Sequence, residues 1–328
     1  MDNSHTQDFY KLTPDHVLDA LESVGFEPQA ALLALNSYEN RVYQFRAYPD
    51  KNGNEKRFVV KFYRPARWSD EQILEEHVFC QQLVQREIPV VAPISVNRQT
   101  LFKFNQFRFA VFESKGGRNP NLDDKDTLIW LGRFIGRIHL LGESENYLHR
   151  PTLTLQDFGF DSAHYLLEKK FIPSHIREAY KAISEQILES CQQTFTNFGP
   201  LNNIRLHGDC HPSNVMWTDS GPHFVDFDDS RMGPAIQDLW MLVNDNTDRI
   251  QWNYLLEGYE DFREFDDREF SLVEPLRAMR MLNYSAWLAQ RWKDPSFKHN
   301  FPWFNETRYW EDQILSLKEQ LSELQCAK

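Results

Sequence analysis

Apolar positions recur at helical spacing near the start of the chain and then give way to strand-like runs. Val17, Leu18, Leu21 and Val24 follow Thr13-Pro14, and Gly25 closes the pattern. A threonine N-cap with proline at the first helical position suits a helix start, where the N–H that proline lacks would have no partner anyway. Short β-branched and aromatic runs come next, at residues 42–45, 58–63, 101–104 and 107–112, the last two joined at Asn105-Gln106. Between the second and third runs, Ser69-Asp70-Glu71-Gln72 matches a capping box and predicts a helix to about Arg86. Strand, strand, helix, strand, strand is the order of a small antiparallel sheet carrying one helix.

After Phe112 the pattern changes. Ser114-Lys115-Gly116-Gly117-Arg118-Asn119-Pro120 reads as a linker, and most of the remaining chain has helical spacing. Residues 126–142 place Leu128, Leu131, Ile135 and Ile138 on one face; further helices are predicted from Pro173-Ser174 to about residue 195, over 272–292 and over 307–324. In the last, Trp310, Ile314, Leu317, Leu321 and Leu324 alternate by four and three, as in a coiled-coil seam or a helix packed on its own domain. Over so few turns the packed helix is favoured. The chain is therefore expected to be α+β and bilobal, on the protein-kinase plan. Residues 1–113 would form a small antiparallel-sheet lobe, with 1–11 flexible, and 114–328 a larger, mainly helical lobe.

Length and composition allow this. The chain has 328 residues, 41 % hydrophobic and 14 % aromatic, enough for two lobes, and 26 % charged residues suit a soluble protein. The formal charge of −12 argues against nucleic acid as a general partner, since like charges repel. Cys80, Cys191, Cys210 and Cys326 show neither disulfide nor metal spacing, which suits a reducing cytoplasm. The polar first eleven residues are not a signal peptide, and no run of eighteen apolar residues predicts a membrane span.

Candidate chemistry centres on His207-Gly208-Asp209-Cys210-His211-Pro212-Ser213-Asn214, with Asp226-Phe227-Asp228 twelve residues beyond Asn214. An acid, an amide five residues on and a second acid at a strand end form the set that phosphoryl transfer needs. One carboxylate takes or orients the proton of the attacking hydroxyl, while amide oxygen and second carboxylate hold magnesium against the triphosphate. Residues 202–206 and 222–227 read as flanking strands with a Ser220-Gly221 turn between them. A purely structural pair of strands has no need for this combination.

The small lobe should then offer a cation, and Phe58-Val59-Val60-Lys61-Phe62 puts Lys61 at the end of an apolar strand. Glu75 and Glu76 on the following helix are candidate partners; Glu76 is favoured, leaving Glu75 as an exposed helix charge. Gly-x-Gly-x-x-Gly is absent. Its place would fall to the polar turn at residues 35–42, before the first strand, with Asn36 and Ser37 facing phosphate. Glu113 enters the linker where backbone groups can meet an adenine edge, and Asp238 suits a structural acid that fixes a loop.

The His-Gly-Asp-x4-Asn motif and its following Asp, with Gly233-Pro234 and Asp238 beyond, resemble the aminoglycoside phosphotransferase/choline kinase superfamily. Longer blocks, including residues 35–43, 58–65, 73–77 and 274–280, resemble the bacterial stress-response protein kinases within it. The resemblance covers residues 12 to 310. It implies an ATP- and Mg2+-dependent, self-phosphorylating kinase of protein serine and threonine. It also implies a cytoplasmic monomer in envelope and oxidative stress survival, linked to the Cpx response and to countering programmed death. Role by role, it makes Asp209 the proton acceptor, Asn214 and Asp226 the magnesium ligands, and Ser37 an ATP-contacting residue; Asp226 is also counted as catalytic. Departures from ordinary protein kinases are Gly208 in place of arginine, no glycine after Phe227, and no Ala-Pro-Glu segment. Two rivals stay open: a small-molecule kinase for an amine alcohol or sugar, with Asp228 and Asp229 favouring a cationic acceptor, and a silent nucleotide-binding regulator.

Overall fold

A computed structural model describes Phe9 and residues 11–48, 56–244 and 249–326. Helix α1 (Pro14–Ser23) begins as expected, with the Thr13 hydroxyl accepting from the His16 N–H. Strands β1 (Pro28–Ala34), β2 (Arg41–Ala47) and β3 (Lys56–Phe62) follow, then α2 (Asp70–Gln85), β4 (Phe102–Phe104) and β5 (Phe107–Glu113). Both bonds of the capping box are made at α2: the Gln72 N–H donates to Ser69 Oγ, and the Ser69 N–H to Gln72 Oε1. The strands form one antiparallel sheet in the order β1-β2-β3-β5-β4.

Two expectations for this region need correction. The sheet has an extra strand, β1, so the turn at residues 35–42 lies inside a hairpin rather than before the first strand, and the Leu35 N–H donates to the Val42 carbonyl. Pro-Gln-Ala-Ala-Leu-Leu-Ala contains no β-branched residue, which hid it. Its opening proline is tolerated because β1 is an edge strand. In the segment expected to be flexible, residues 1–8 and 10 lie outside the described residues, but Phe9 is buried against Phe107 and under the Arg41 and Arg64 guanidiniums.

Helices dominate the rest: α3 (Lys125–Gly142), α4 (Asp161–Glu168), α5 (Arg177–Phe198), α6 (Ile236–Leu239), α7 (Arg249–Tyr259), α8 (Val273–Gln290), α9 (Pro295–Asn300) and α10 (Thr307–Cys326). Among them run short strands β6 (Ile204–Arg205), β7 (Val215–Thr218), β8 (Gly221–Phe224) and β9 (Met232–Gly233). Pro173-Ser174 does not start α5; it lies in a turn closed by the Ile176 N–H on the Pro173 carbonyl. The Ser220-Gly221 turn joins β8 to the unforeseen β7, while β6 pairs with β9. That hairpin is what brings Asn214 beside the second acid, through a Val225 N–H to Asn214 carbonyl bond.

The core is continuous from α2 into the helical part, where Phe79, Cys80 and Leu83 join Leu131, Ile135, Leu206, Phe224 and Phe227. A second cluster takes in the α10 stripe, with Trp310, Ile314, Leu317, Leu321 and Leu324 buried against α5 and α8. The packed-helix reading of that stripe therefore holds. Among the described residues, no helix is long and apolar enough to cross a membrane.

Candidate active site

The motif loop is built around a buried carboxylate. Asp238 accepts the backbone N–H groups of His207 (2.7 Å) and Gly208 (2.9 Å) and lies 3.1 Å from His139 Nε2. It is the loop-fixing acid expected from the sequence. Gly208 has φ +89°, and a Cβ there would fall 2.1 Å from the Asp229 carbonyl oxygen, so the arginine of ordinary protein kinases cannot stand at this position. Asp209 then turns toward the cleft. The Asn214 side-chain NH2 donates to the Asp209 carbonyl at 2.9 Å, which fixes the amide and leaves its oxygen as an acceptor. Cys210 is buried and its pKa is pushed up by that burial, as befits a passive filler.

Asp226 follows β8 in the left-handed conformation, φ +61°. For a residue with a Cβ this costs about 1–2 kcal/mol, although Asp tolerates it better than most. Its side chain is 52 % exposed and lies 3.5 Å from Lys61 Nζ; burial, with Asp228 and Asp229 nearby, raises its pKa although Lys61 opposes this. Lys61 is buried, 3.4 Å from Glu76 Oε1 and 3.4 Å from Asp228 Oδ1. Burial opposes its charge, but Glu76, Asp228 and Asp226 outweigh that and hold the ammonium pKa well above its usual range. Glu76 is thus the lysine's partner in the structure. Its other oxygen accepts from Arg150 Nη2 at 2.9 Å, and Arg150 also donates to the Asp228 and Ser230 carbonyls. Glu75 is no free helix charge: it accepts the backbone N–H groups of Leu148, His149 and Arg150.

Two cavities meet at Asp226. One, of about 380 Å³, lies beneath the sheet between Val59, Lys61, Phe112, Asn214 and Phe227. The other, of about 520 Å³, lies against α8 and is lined by Asp209, His211, Arg280, Tyr284 and Trp287. Asn36, Ser37, Asn214 and Asp226 border both. Glu113 borders only the first of these two; its carboxylate points to solvent and pairs with Lys115 at 3.1 Å.

The glycine-free turn over this junction is held from outside. Glu39 Oε2 accepts the Trp287 indole N–H at 2.6 Å and lies 2.6 Å from Arg291 Nε, while Arg64 Nε sits 2.9 Å from Oε1. Burial works against the Glu39 charge, but Arg67, Arg291 and Arg64 prevail and lower its pKa. Asn40 adds bonds to Asp228 Oδ2 and from the Arg64 N–H. Arg64 reaches Asp294, and Arg41 reaches Asp294 and Ser296.

Asp209 has both oxygens engaged: Oδ1 accepts from Arg280 Nη1 at 2.8 Å, and Oδ2 lies 3.4 Å from His211 Nε2. Burial would raise its pKa, but His211 and Arg280 outweigh burial and hold it below the usual carboxylate value. Asp228 and Asp229 are not open to an incoming cation. Asp228 pairs with Arg67 and Lys61, and Asp229 with Arg67 (2.8 Å) and Arg231 (2.7 Å). The sequence reading missed Glu39, Arg64, Arg67, Arg150 and Arg280 as parts of the site. Only Arg280 carried a local signal: with Tyr284 and Trp287 it stands at i, i+4, i+7, one face of a helix.

This geometry defines a bilobal phosphotransferase, and the chain belongs to the phosphotransferase enzyme family, whose model matches residues 32–273. It is a kinase. Within the family it is similar to stress response kinase A of Escherichia coli strain K12, with 44 % identity over 98 % of this chain and 97 % of that protein. The serine/threonine protein kinase RdoA of Salmonella typhimurium strain LT2 is 44 % identical over 97 % of this chain and 95 % of its own length. Among solved structures, the amicoumacin kinase hAmiN in complex with AMP-PNP, Ca2+ and Ami shares the fold, with a TM-score of 0.70 at 19 % identity over 92 % of this chain and 94 % of the other.

Proposed function

We propose that this kinase transfers the γ-phosphoryl group of ATP to serine and threonine hydroxyls of proteins, its own included. Relatives of near-identical length named as stress response and serine/threonine protein kinases support the acceptor class. The structure adds one supporting observation. Asp228 and Asp229, which would have suited a cationic small molecule, are already neutralised by Arg67, Arg231 and Lys61.

In this reading ATP lies in the cavity beneath the sheet. Phe112 and Glu113 stand at its adenine end, Lys61 faces the α- and β-phosphates, and Asn36 and Ser37 cover the phosphates from the turn. The Asn214 amide oxygen and the Asp226 carboxylate suit a hard divalent cation, and two protein ligands are enough where phosphate oxygens complete the set. Magnesium held there by Asn214 and Asp226 would neutralise charge on the phosphates. The acceptor hydroxyl enters from the α8 side, and its oxygen bonds to the γ-phosphorus as the bond to the ADP oxygen breaks. The hydroxyl proton passes to Asp209, which its lowered pKa keeps ionised. The intact set of Lys61, Asp209, Asn214 and Asp226 speaks against a silent regulator.

The same reading places the protein in the cytoplasm as a monomer in a bacterial stress response, Cpx-linked and protective against stress-induced death. Buried, unpaired Cys80, Cys191 and Cys210 suit a reducing compartment, and the α10 stripe is spent inside its own chain. Incubation with γ-labelled ATP and magnesium tests the acceptor. Label on the protein and on casein is expected; label only on an added amine alcohol or aminoglycoside would move the enzyme to the small-molecule class.

A further inference from the structure

An acceptor hydroxyl that approaches Asp209 competes with a neighbour at each of its oxygens. A proton acceptor must come within about 2.6–3.2 Å of the group it deprotonates, and Arg280 stands at one oxygen while His211 stands near the other. His211 is held in place, its Nδ1 accepting the Ser213 N–H at 3.2 Å. Arg280 is the movable partner. Its side chain is 48 % exposed, and it extends from α8 along the wall of the acceptor-side cavity.

A guanidinium displaced from Asp209 keeps its charge, since arginine does not deprotonate. The cavity offers it little. Of the acids in its lining, Glu39 is paired with Arg64 and Arg291, Asp228 with Arg67 and Lys61, and Asp229 with Arg67 and Arg231. Asp226 faces Lys61 and is assigned to the metal. A matching anion must arrive with the acceptor itself.

Building on the protein-kinase reading, we propose that Arg280 is an acceptor-reading residue, and that the preferred acceptor is a serine or threonine with a carboxylate side chain within two residues. The substrate carboxylate takes the Arg280 guanidinium off Asp209 and so frees the base as the hydroxyl arrives. A neutral acceptor must break the Arg280–Asp209 pair without compensation, and a basic one adds repulsion. Exposed Tyr284 and the half-buried Trp287, one and two turns along the same face and stacked with ring centroids 5.8 Å apart, give the flanking peptide an apolar shelf.

Peptides that differ only in the residues flanking one serine (Asp, Ala or Arg) test this with the full-length enzyme and magnesium-ATP. The wild type is expected to favour the Asp-flanked peptide over the Ala-flanked one in kcat/KM by about tenfold, the scale of one charge-assisted hydrogen bond. Arg280→Ala should bring that ratio close to one, and Arg280→Lys should retain part of it; thermal melts confirm that both fold. A ratio near one in the wild type, or one unchanged in Arg280→Ala, overturns the inference and leaves the protein-kinase reading standing. An equal loss on all peptides with a raised KM for ATP assigns Arg280 to the phosphates instead, and also overturns it. If the wild type phosphorylates no peptide but does phosphorylate an amine alcohol, the reading beneath falls as well.

Discussion

The indole N–H of Trp287 donates to the carboxylate of Glu39 at 2.6 Å, tying the turn over the cleft to helix α8. Kinase loops that cover phosphates commonly use glycines so that backbone can approach closely. Here the turn carries Asn-Ser-Tyr-Glu-Asn, and position comes from side chains: Glu39 into Trp287, Arg291 and Arg64, and Asn40 into Asp228. Rigid anchorage takes the place of a flexible flap.

Glu39→Gln should therefore weaken ATP far more than AMP if the turn meets the β- and γ-phosphates as proposed. It should also lower stability by about 3–5 kcal/mol, the usual cost of leaving buried charges without their partner. Nucleotide titration and urea unfolding read the two effects separately. Equal loss for ATP and AMP would mean that the turn does not touch the phosphates.

Asp226→Ala should abolish the magnesium-dependent tightening of ATP binding, since it removes the proposed charged ligand. Asn214→Ala should reduce that tightening less, because a neutral oxygen contributes less electrostatic energy. Calorimetry with and without magnesium distinguishes them; the same magnesium dependence in both variants and the wild type would remove these residues from the metal site.

His77, one position beyond Glu76 on α2, is buried between the Tyr63 hydroxyl and Thr100 Oγ1. Burial first, then Lys61 and Arg150, lower its pKa to about 3. An unfolded chain would protonate it near pH 6.5, so between about 6.5 and 3 the unfolded state holds the extra proton. Stability should then fall with decreasing pH across that window, by up to about 1.4 kcal/mol per unit from this group. Urea unfolding at pH 7, 6 and 5 should show a shallower fall in His77→Gln than in the wild type. Parallel curves would mean that His77 takes up its proton in the folded state.

Most of the fold and half of the site were legible because each depended on local chemistry. Capping at Thr13 and Ser69, the apolar run that ends in Lys61 and the spacing from Asp209 to Asn214 to Asp226 are short-range signals. The edge strand β1 was not, since an Ala- and Leu-rich run carries no strand signature. The arginine clusters were missed for a different reason. Arg67 meets acids more than 160 positions away, and Arg291 meets Glu39 across most of the chain. Charge alone says "surface" in a sequence, and only tertiary pairing turns these residues into structure. Asp228 and Asp229 misled in the same way, reading as open acids when both are filled.

Passage of phosphate from ATP to a protein hydroxyl, with Asp209 as the base, is the central step proposed. Phosphosite mass spectrometry of the purified protein after incubation with magnesium-ATP tests it most directly, run beside Asp209→Asn. Phosphoserine or phosphothreonine is expected on the wild type, with at least a hundredfold less, about the contribution of one positioned base, on a variant that still binds ATP. Equal modification of both proteins would contradict the role of Asp209, and an unmodified wild type that turns over ATP only with a small-molecule acceptor would contradict the protein-kinase reading.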